Sequence, residues 1–135
     1  MHIIEQLNDS HIFQLHQLYQ QQWWSNTRTL EETHQVVRGS SFVLGVVDES
    51  NHLIAFTRVL TDGIFKALVF DVIVNEHYRS QQLGSRLMEA VKNHSRLQQV
   101  KHIELYCLPE LQTYYQQFGF GTDVGGMQLM RMTMR

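Results

Sequence analysis

Residues 77–91 read HYRSQQLGSRLMEAV and connect an apolar run, ALVFDVIV (67–74), to a helical pattern. The apolar run has the length and composition of a buried strand. From Leu83 onward, apolar residues recur at the spacing that places them on one face of a helix. The turn between them, RSQQLG (79–84), contains no acidic or aromatic side chain. A helix N-terminus exposes N–H groups with partial positive charge, so this turn is suited to hold a phosphate or diphosphate.

Three residues in or next to the turn favour such an anion site. Arg79 supplies a full positive charge, and Ser85 supplies a hydroxyl group. Gly84 lets an oxygen atom approach the backbone because it has no Cβ. The alternative is an ordinary strand-to-helix turn with a surface arginine, since R-x-x-x-x-G is a weak pattern without the Lys-Ser/Thr of a P-loop.

The rest of the chain predicts further strands and helices around this unit. A short strand (1–7) precedes a helix capped by Asn8 or Asp9, and a T-x-x-E capping box at Thr29 opens a second helix. Three strands then form a meander that ends at ALVFDVIV, and VKHIELYC (100–107) is a further strand. Pro109 starts a last helix, and the alternating MRMTMR (130–135) predicts a final strand. The order βααβββαβαβ predicts a mixed α/β (α+β) sheet with helices on both faces.

Length, charge and cysteine content narrow the class of protein. The 135 residues fit one domain over residues 1–135, and the formal net charge of −2 with no basic block disfavours nucleic acid as the main partner. Cys107 is the only cysteine, which suits a reducing compartment. The sequence shows neither a signal peptide nor a membrane span, so we expect a cytoplasmic protein. The eight histidines include no i, i+4 pair on one helix, and we expect no metal site.

Two motifs together give a specific resemblance. The segment VFDVIVNEHYRSQQLGSRLMEAV (69–91), followed by TYYQQFGF (113–120), resembles the GNAT family of acetyl-CoA-dependent N-acetyltransferases. In that family the turn carries R/Q-x-x-G-x-G/A, and a F/Y-Y-x-x-x-G-F segment lies near the C-terminus. The sequence departs from the pattern at Gln82, where the family has its first motif glycine. Gln82 brings a Cβ and a long side chain to that place, which would alter the affinity for a diphosphate or the loop geometry.

The resemblance implies both an architecture and a co-substrate. The expected fold is a mostly antiparallel central sheet of six to seven strands, with helices on both faces and a splayed central strand pair. The expected co-substrate is acetyl-CoA, bound without a metal. Its expected binding residues are Val72, Ile73, Val74, Arg79, Ser80, Gln82, Leu83, Gly84 and Ser85.

Two residues are candidates for catalysis. Asp71 interrupts an apolar strand, and a buried carboxylate is too costly to keep without a partner or a purpose. It is either a base or anchor for the amine, as the resemblance implies, or a structural residue that caps a bulge or pairs with an arginine such as Arg58. Tyr115 matches the family tyrosine that protonates the departing thiolate, and the alternative is that it only packs in the core.

The acceptor site is expected in the connector after the first helix and on the long strands. Its candidate residues are Trp23, Trp24, Arg28, Arg58 and Asp62. If the two arginines dominate, the acceptor carries a carboxylate, whereas dominance of Asp62 and Asp71 would favour a polyamine-like cation. The residues alone do not decide between these two classes of acceptor.

The resemblance therefore predicts an N-acetyltransferase that moves an acetyl group directly from acetyl-CoA to a primary amine of a small molecule in a ternary complex. One alternative is a non-catalytic acyl-CoA sensor of the same fold, which Gln82 favours. Acetylation of a protein amine is another alternative. Since family members often dimerise through C-terminal strands, a homodimer is a further expectation.

Overall fold

The structure is a computed structural model that describes residues 1–135. Five strands form one sheet in the order β1-β2-β3-β4-β5. They are β1 (His2–Ile4), β2 (Phe42–Val47), β3 (Leu53–Thr61), β4 (Lys66–Val74) and β5 (His102–Leu105). The first four strands pair antiparallel, and β4 pairs parallel with β5. The predicted mixed, mostly antiparallel sheet is confirmed, but the prediction of six to seven strands is wrong.

The chain also forms four α-helices and three 3-10 helices. The α-helices are α1 (Asp9–Gln20), α2 (Leu30–Gly39), α3 (Leu83–Lys92) and α4 (Gln112–Gln116). The 3-10 helices are Glu76–Gln81, Ser95–Leu97 and Pro109–Leu111. None of the helices has the length and apolar character that a membrane-spanning helix requires.

Side-chain caps determine where the first two helices begin. The Asn8 side chain accepts a hydrogen bond from the His11 N–H at 2.9 Å at the start of α1. At α2, the Thr29 hydroxyl accepts from the Glu32 N–H at 3.0 Å, and the Glu32 carboxylate accepts from the Thr29 N–H at 2.9 Å. These are the predicted caps, and each satisfies N–H groups that the helix itself leaves unpaired.

Helices cover both faces of the sheet, as predicted. On one face, α3 packs Leu87 and Val91 into a cluster with residues of β2, β3 and β4. On the other face, α1 packs Leu15 and Tyr19 against the sheet. The two apolar clusters fix β4 between α1 and α3, and the candidate site lies at the end of this strand.

A β-bulge lies in the middle of β4. Arg58 pairs with Phe70 and Phe56 pairs with Ile73, so Asp71 and the residue after it face a single residue of β3. Asp71 has φ of 57°, in the left-handed region that non-glycine residues rarely adopt. Such a bulge re-aims a side chain out of the regular alternation of a strand.

The predicted final strand at residues 130–135 is absent. This segment pairs with no strand, and Met130 is 91% exposed. Gly125 and Gly126 have φ of 67° and 78°, which turn the chain away from an extended path before the alternating segment begins. The outer edge of β5 therefore lines a cavity of about 1000 Å³ together with α3, α4 and residues 118–124 and 127–129.

Candidate active site

The parallel pair β4–β5 opens into a gap halfway along β4. Register pairs run from Lys66 with His102 to Val69 with Leu105, where β5 ends. Residues 70–74 of β4 continue with β3 on one side and no strand on the other. The gap lies where the splay between these two strands was predicted, but β5 is the edge strand of this sheet, so the pair is not central. The gap exposes one edge of the β4 backbone.

The three predicted co-substrate residues of β4 lie along this gap. Val72 and Val74 are half-buried, whereas Ile73 is buried in the apolar cluster beneath α1. The side chain of Ile73 is therefore part of the core. Only its backbone lies along the edge that the gap exposes.

The N-terminus of α3 lies next along the chain. A 3-10 helix (Glu76–Gln81) follows β4, Gln82 adopts φ of 58° and ψ of 31°, and α3 begins at Leu83. No side chain caps this helix, unlike α1 and α2. Arg79 is exposed and forms no ion pair, and Ser80 is exposed beside it. This turn combines an uncapped helix dipole with an unpaired guanidinium group, which together attract an anion.

Gly84 makes a closer contact than the sequence predicted. A Cβ at this position would overlap the hydroxyl oxygen of Tyr114 and lie 3.9 Å from a methyl carbon of Val74. The oxygen that approaches the Gly84 backbone within this chain is therefore the hydroxyl of Tyr114. Sequence reasoning gave Tyr114 no role, and its place beside a motif glycine could not be deduced from local patterns.

The backbone at Gln82 is strained in a way that glycine would relieve. Left-handed backbone costs an L-residue roughly 1–2 kcal/mol, and glycine avoids this cost. We therefore expect Gln82→Gly to raise the free energy of unfolding by about 1 kcal/mol in chemical denaturation. Gln81→Gly is the matched control, because φ of Gln81 is not positive and glycine there should be neutral or destabilising. Equal effects of the two substitutions would contradict this account.

Asp71 is the centre of a polar cluster on the α1 side of the sheet. Its Oδ2 accepts hydrogen bonds from the Tyr19 hydroxyl at 2.8 Å, from Arg28 Nη1 at 2.7 Å and from Arg58 Nε at 2.7 Å. The side chain of Asp71 is only 6% exposed. Pairing with Arg58 was one of the two predicted roles of Asp71, and the structure adds Arg28 and Tyr19 to it.

The second carboxylate oxygen of Asp71 has no protein partner. All three hydrogen bonds go to Oδ2, and no buried side-chain oxygen or nitrogen in the chain lacks a partner. Oδ1 must therefore reach solvent. This oxygen can accept a hydrogen bond from a bound molecule without breaking the cluster.

The cluster keeps its members in their usual charge states. Burial would raise the pKa of Asp71, but hydrogen bonds and charges from Arg28 and Arg58 outweigh it and hold the pKa below its ordinary value. Burial lowers the pKa of Arg28, but the hydrogen bond and charge of Asp71 raise it above the ordinary value. Burial and the Asp71 charge raise the pKa of Tyr19. At neutral pH Asp71 is therefore ionised and is a poor proton acceptor.

The connector between α1 and α2 is held so that Arg28 points at Asp71. The carbonyl oxygen of Arg28 lies 2.9 Å from His16 Nε2 and accepts from Gln20 Nε2 at 3.1 Å. Both partners lie on α1, so the helix fixes the arginine backbone directly. The sequence placed Arg28 in the acceptor region but did not reveal this link.

Aromatic rings surround the two guanidinium groups. Arg28 lies 4.6 Å from the ring centroid of Tyr19 and 5.5 Å from that of Trp24. Arg58 lies 4.9 Å from the ring of Phe70. Stacking on rings orients a guanidinium and adds cation–π attraction. Trp23 is 72% exposed and makes no ring contact with the cluster.

Asp62 does not belong to this cluster. It lies in the turn between β3 and β4, where its carboxylate accepts from the N–H groups of Ile64 at 2.9 Å and Phe65 at 2.8 Å. These hydrogen bonds, and a third from Lys66, lower its pKa. The structure therefore does not bring Asp62 together with Asp71, Arg28 and Arg58, because N–H groups of its own turn use the carboxylate.

Tyr115 lies on α4 and lines the cavity along the outer edge of β5. Its ring packs edge-on against Tyr114 at 5.1 Å and Phe120 at 6.1 Å. Burial raises the pKa of Tyr115 to about 12, with smaller contributions from Tyr114 and from Cys107, two residues beyond β5. The phenol therefore stays protonated throughout the physiological range and can donate a hydrogen bond.

Comparison with known proteins adds a family and a fold. The profile described as "Acetyltransferase (GNAT) family" matches residues 4–120 of this chain. A protein named uncharacterized N-acetyltransferase ycf52, from Porphyra purpurea, is 25% identical over 88% of this chain and 70% of its own length. Serotonin N-acetyltransferase 2, chloroplastic, from Oryza sativa subsp. japonica is 35% identical over 58% of this chain. This chain matches only 40% of the length of that rice protein.

A solved structure shares the fold over nearly the whole chain. It is a protein described as belonging to the GNAT family, from Xanthomonas campestris pv. campestris, with a TM-score of 0.82 and 24% identity. The likeness covers 98% of this chain and 94% of that protein. At this identity the likeness shows a common fold.

Proposed function

This chain belongs to the acetyltransferase (GNAT) family, and from that premise we propose that it transfers the acetyl group of acetyl-CoA directly to a primary amine of a small molecule. One observation carries the proposal. The gap between β4 and β5 opens beside the uncapped N-terminus of α3, where Arg79 has no ion-pair partner. A long molecule with a diphosphate at its middle and a reactive thioester at one end fits these two neighbouring features.

The turn before α3 holds the diphosphate in this proposal. Backbone N–H groups at the first turn of α3 supply hydrogen bonds and the helix dipole supplies partial positive charge. Arg79 adds a full charge, and the hydroxyls of Ser80 and Ser85 are further donors. The backbone residues in this role are Gln82, Leu83, Gly84 and Ser85.

The exposed edge of β4 holds the pantetheine arm in this proposal. Backbone groups of Val72, Ile73 and Val74 face a gap in which no strand pairs with them. The bound thioester supplies the acetyl carbon. A C–N bond forms between that carbon and the acceptor nitrogen, the C–S bond breaks, and the proton lost by the amine balances the thiol that leaves.

Tyr115 and Asp71 have different parts in this reaction. Tyr115 donates a hydrogen bond to the departing sulfur, because its phenol stays protonated below pH values near its pKa of about 12. Asp71 anchors the acceptor amine through Oδ1, which has no protein partner and reaches solvent. Its lowered pKa makes it a weak base, so the amine proton leaves through water.

A small amine as acceptor is supported by the name of one relative. The rice protein is named serotonin N-acetyltransferase 2, and serotonin is a small primary amine. The aromatic rings of Trp24 and Phe70 beside the cluster suit a small organic acceptor. The proposal takes from this relative the class of acceptor and no particular amine.

An amine panel with detection of released thiol tests the proposal. We expect acetyl-CoA to raise the melting temperature, since a ligand at 100 times its Kd stabilises the native state by about 2.7 kcal/mol. We also expect thiol release that depends on both acetyl-CoA and a primary amine. Stabilisation by acetyl-CoA without thiol release for any amine would favour the sensor. Neither stabilisation nor release at millimolar acetyl-CoA would contradict both functions.

A further inference from the structure

The cluster around Asp71 carries one positive charge more than it can neutralise. Two guanidinium groups, of Arg28 and Arg58, share a single carboxylate oxygen at 2.7 Å each. The pKa of Asp71 is lowered and that of Arg28 is raised, so the ions are formed at neutral pH. The hydrogen-bonded group, completed by the neutral Tyr19, therefore has a net charge of +1.

Most donors of the two arginines are unused. Arg28 donates to Asp71 through Nη1 alone, and Arg58 donates through Nε alone. Arg28 Nε and Nη2 and both Nη atoms of Arg58 have no hydrogen-bond partner in the chain, yet none of these atoms is sealed from solvent. The arginine side chains are only 26% and 14% exposed, so a bound anion would meet charges that water screens weakly.

A carboxylate matches this cluster in both charge and shape. A monoanion brings the net charge of the cluster to zero, whereas a dianionic phosphate would leave one negative charge. A guanidinium presents paired N–H groups that match the two oxygens of a carboxylate. A cationic acceptor would instead meet two positive charges for one negative charge.

An amine has its own place next to this anion site. Oδ1 of Asp71 reaches solvent, and Asp71 lies in the bulge of β4 at the point where β5 ceases to pair. The two oxygens of one carboxylate lie close together, so an ammonium on Oδ1 and an anion on the arginines would be a few ångströms apart. That separation is found within an amino acid.

We propose that the acceptor is an amino acid whose carboxylate binds Arg28 and Arg58 while its amine binds Asp71 beside the gap. This inference rests on the proposed acetyl transfer, with the same C–N bond formed and C–S bond broken. The product is an N-acetyl amino acid with one negative charge, which matches the cluster more closely than the zwitterionic substrate.

Matched pairs of acceptors test the substrate class. Glycine, alanine and phenylalanine are each compared with the corresponding amide, with kcat/KM corrected for the fraction of neutral amine. We expect at least one acid to exceed its amide by at least about tenfold, because a carboxylate accepts charge-assisted hydrogen bonds from the two guanidinium groups and a neutral amide does not. Turnover of amides or of diamines with no preference for any acid would overturn the inference and leave the proposed function standing.

Product binding tests the inference without turnover. The N-acetylated acids and their amides are titrated calorimetrically into the full chain with CoA present. We expect at least one N-acetyl amino acid to bind at least about tenfold more tightly than its amide. If no acid in the panel binds more tightly than its amide, the inference is overturned whether or not acetyl transfer occurs.

Two arginine variants locate the effect. Arg28→Met keeps an unbranched side chain but removes the charge, and we expect it to reduce the acid-to-amide ratio toward one. Arg38→Met is the control. Arg38 lies exposed in the last turn of α2, and its substitution removes the same formal charge as Arg28→Met. A ratio that falls equally in both variants would assign the preference to overall charge and overturn the site.

Discussion

Replacing Asp71 with asparagine is expected to lower the free energy of unfolding by about 3 kcal/mol, which corresponds to a fall in melting temperature of roughly 10 °C. The carboxylate neutralises two partly buried guanidinium groups at 2.7 Å, and its removal leaves both uncompensated. We expect a loss at the lower end of the range for a broken buried ion pair, because the Arg28 side chain is still about a quarter exposed to solvent. Denaturant unfolding of the wild-type protein and of Asp71→Asn measures this loss.

Glu104→Gln is the matched control for burial. Lys66 and Glu104 also form an ion pair at 2.7 Å, but their side chains are 45% and 32% exposed. An exposed pair contributes at most about 1 kcal/mol, so this substitution should have a small effect. If Asp71→Asn destabilised the protein no more than Glu104→Gln, the cluster would not hold the α1–α2 connector to β4 as described.

The difference in unfolding free energy between wild type and Asp71→Asn is also expected to depend on pH. The pKa of Asp71 is lowered in the folded state, so its contribution is fully present above the unfolded value of about 3.9 and is lost as pH falls through the folded value. The difference in unfolding free energy between wild type and Asp71→Asn should therefore be constant near neutral pH and shrink below about pH 4. A difference that grew on acidification would contradict the lowered pKa.

Tyr115→Phe is expected to lower kcat by about 100-fold while changing the Kd for CoA by less than about threefold. A departing CoA thiolate has a pKa near 8.5, and a hydrogen bond from the phenol stabilises its developing charge. Because burial raises the pKa of Tyr115 to about 12, the wild-type enzyme should show no loss of kcat from tyrosine ionisation below about pH 10. Steady-state kinetics on the amine identified by the panel measures both effects.

Tyr114→Phe separates the two neighbouring tyrosines. The hydroxyl of Tyr114 lies against the backbone of Gly84 at the start of α3, on the proposed diphosphate side of the site. We expect its loss to change the affinity for CoA more than kcat. If Tyr114→Phe lowered kcat and Tyr115→Phe did not, the roles of the two residues would be exchanged.

Local signals in the sequence predicted much of the fold. Asn8 and Thr29 mark helix starts through contacts within a few residues, and these starts are confirmed. Pro109 starts a 3-10 helix, and the α-helix that follows begins only at Gln112. The crossover from β4 through α3 to β5 is also confirmed, because the apolar residues of α3 recur with a strong helical periodicity. Apolar and polar residues alternate over residues 130–135, but this segment pairs with no strand. Alternation is typical of a half-buried strand, but it does not show that a neighbouring strand is available for pairing.

The candidate site depends more on contacts between distant residues. A carboxylate in the apolar strand β4 required a partner, and Arg58 was identified as one from the sequence. Tyr19 was missed because its spacing marks it as a core residue, although a buried tyrosine hydroxyl also needs a partner. Asp62 lies outside the cluster, because N–H groups of its own turn satisfy its carboxylate, and the residue type alone does not reveal this. Gln82 itself does not indicate a left-handed backbone, and the only signal was the glycine that the family pattern has at this position.

Calorimetric titration with pantetheine, 4′-phosphopantetheine and CoA tests the central claim most directly. If the uncapped N-terminus of α3 and Arg79 bind the diphosphate, affinity should rise by at least about tenfold from pantetheine to phosphopantetheine, rise again to CoA, and fall as salt is added. Pantetheine binding as tightly as CoA, or affinities independent of salt, would contradict the claim.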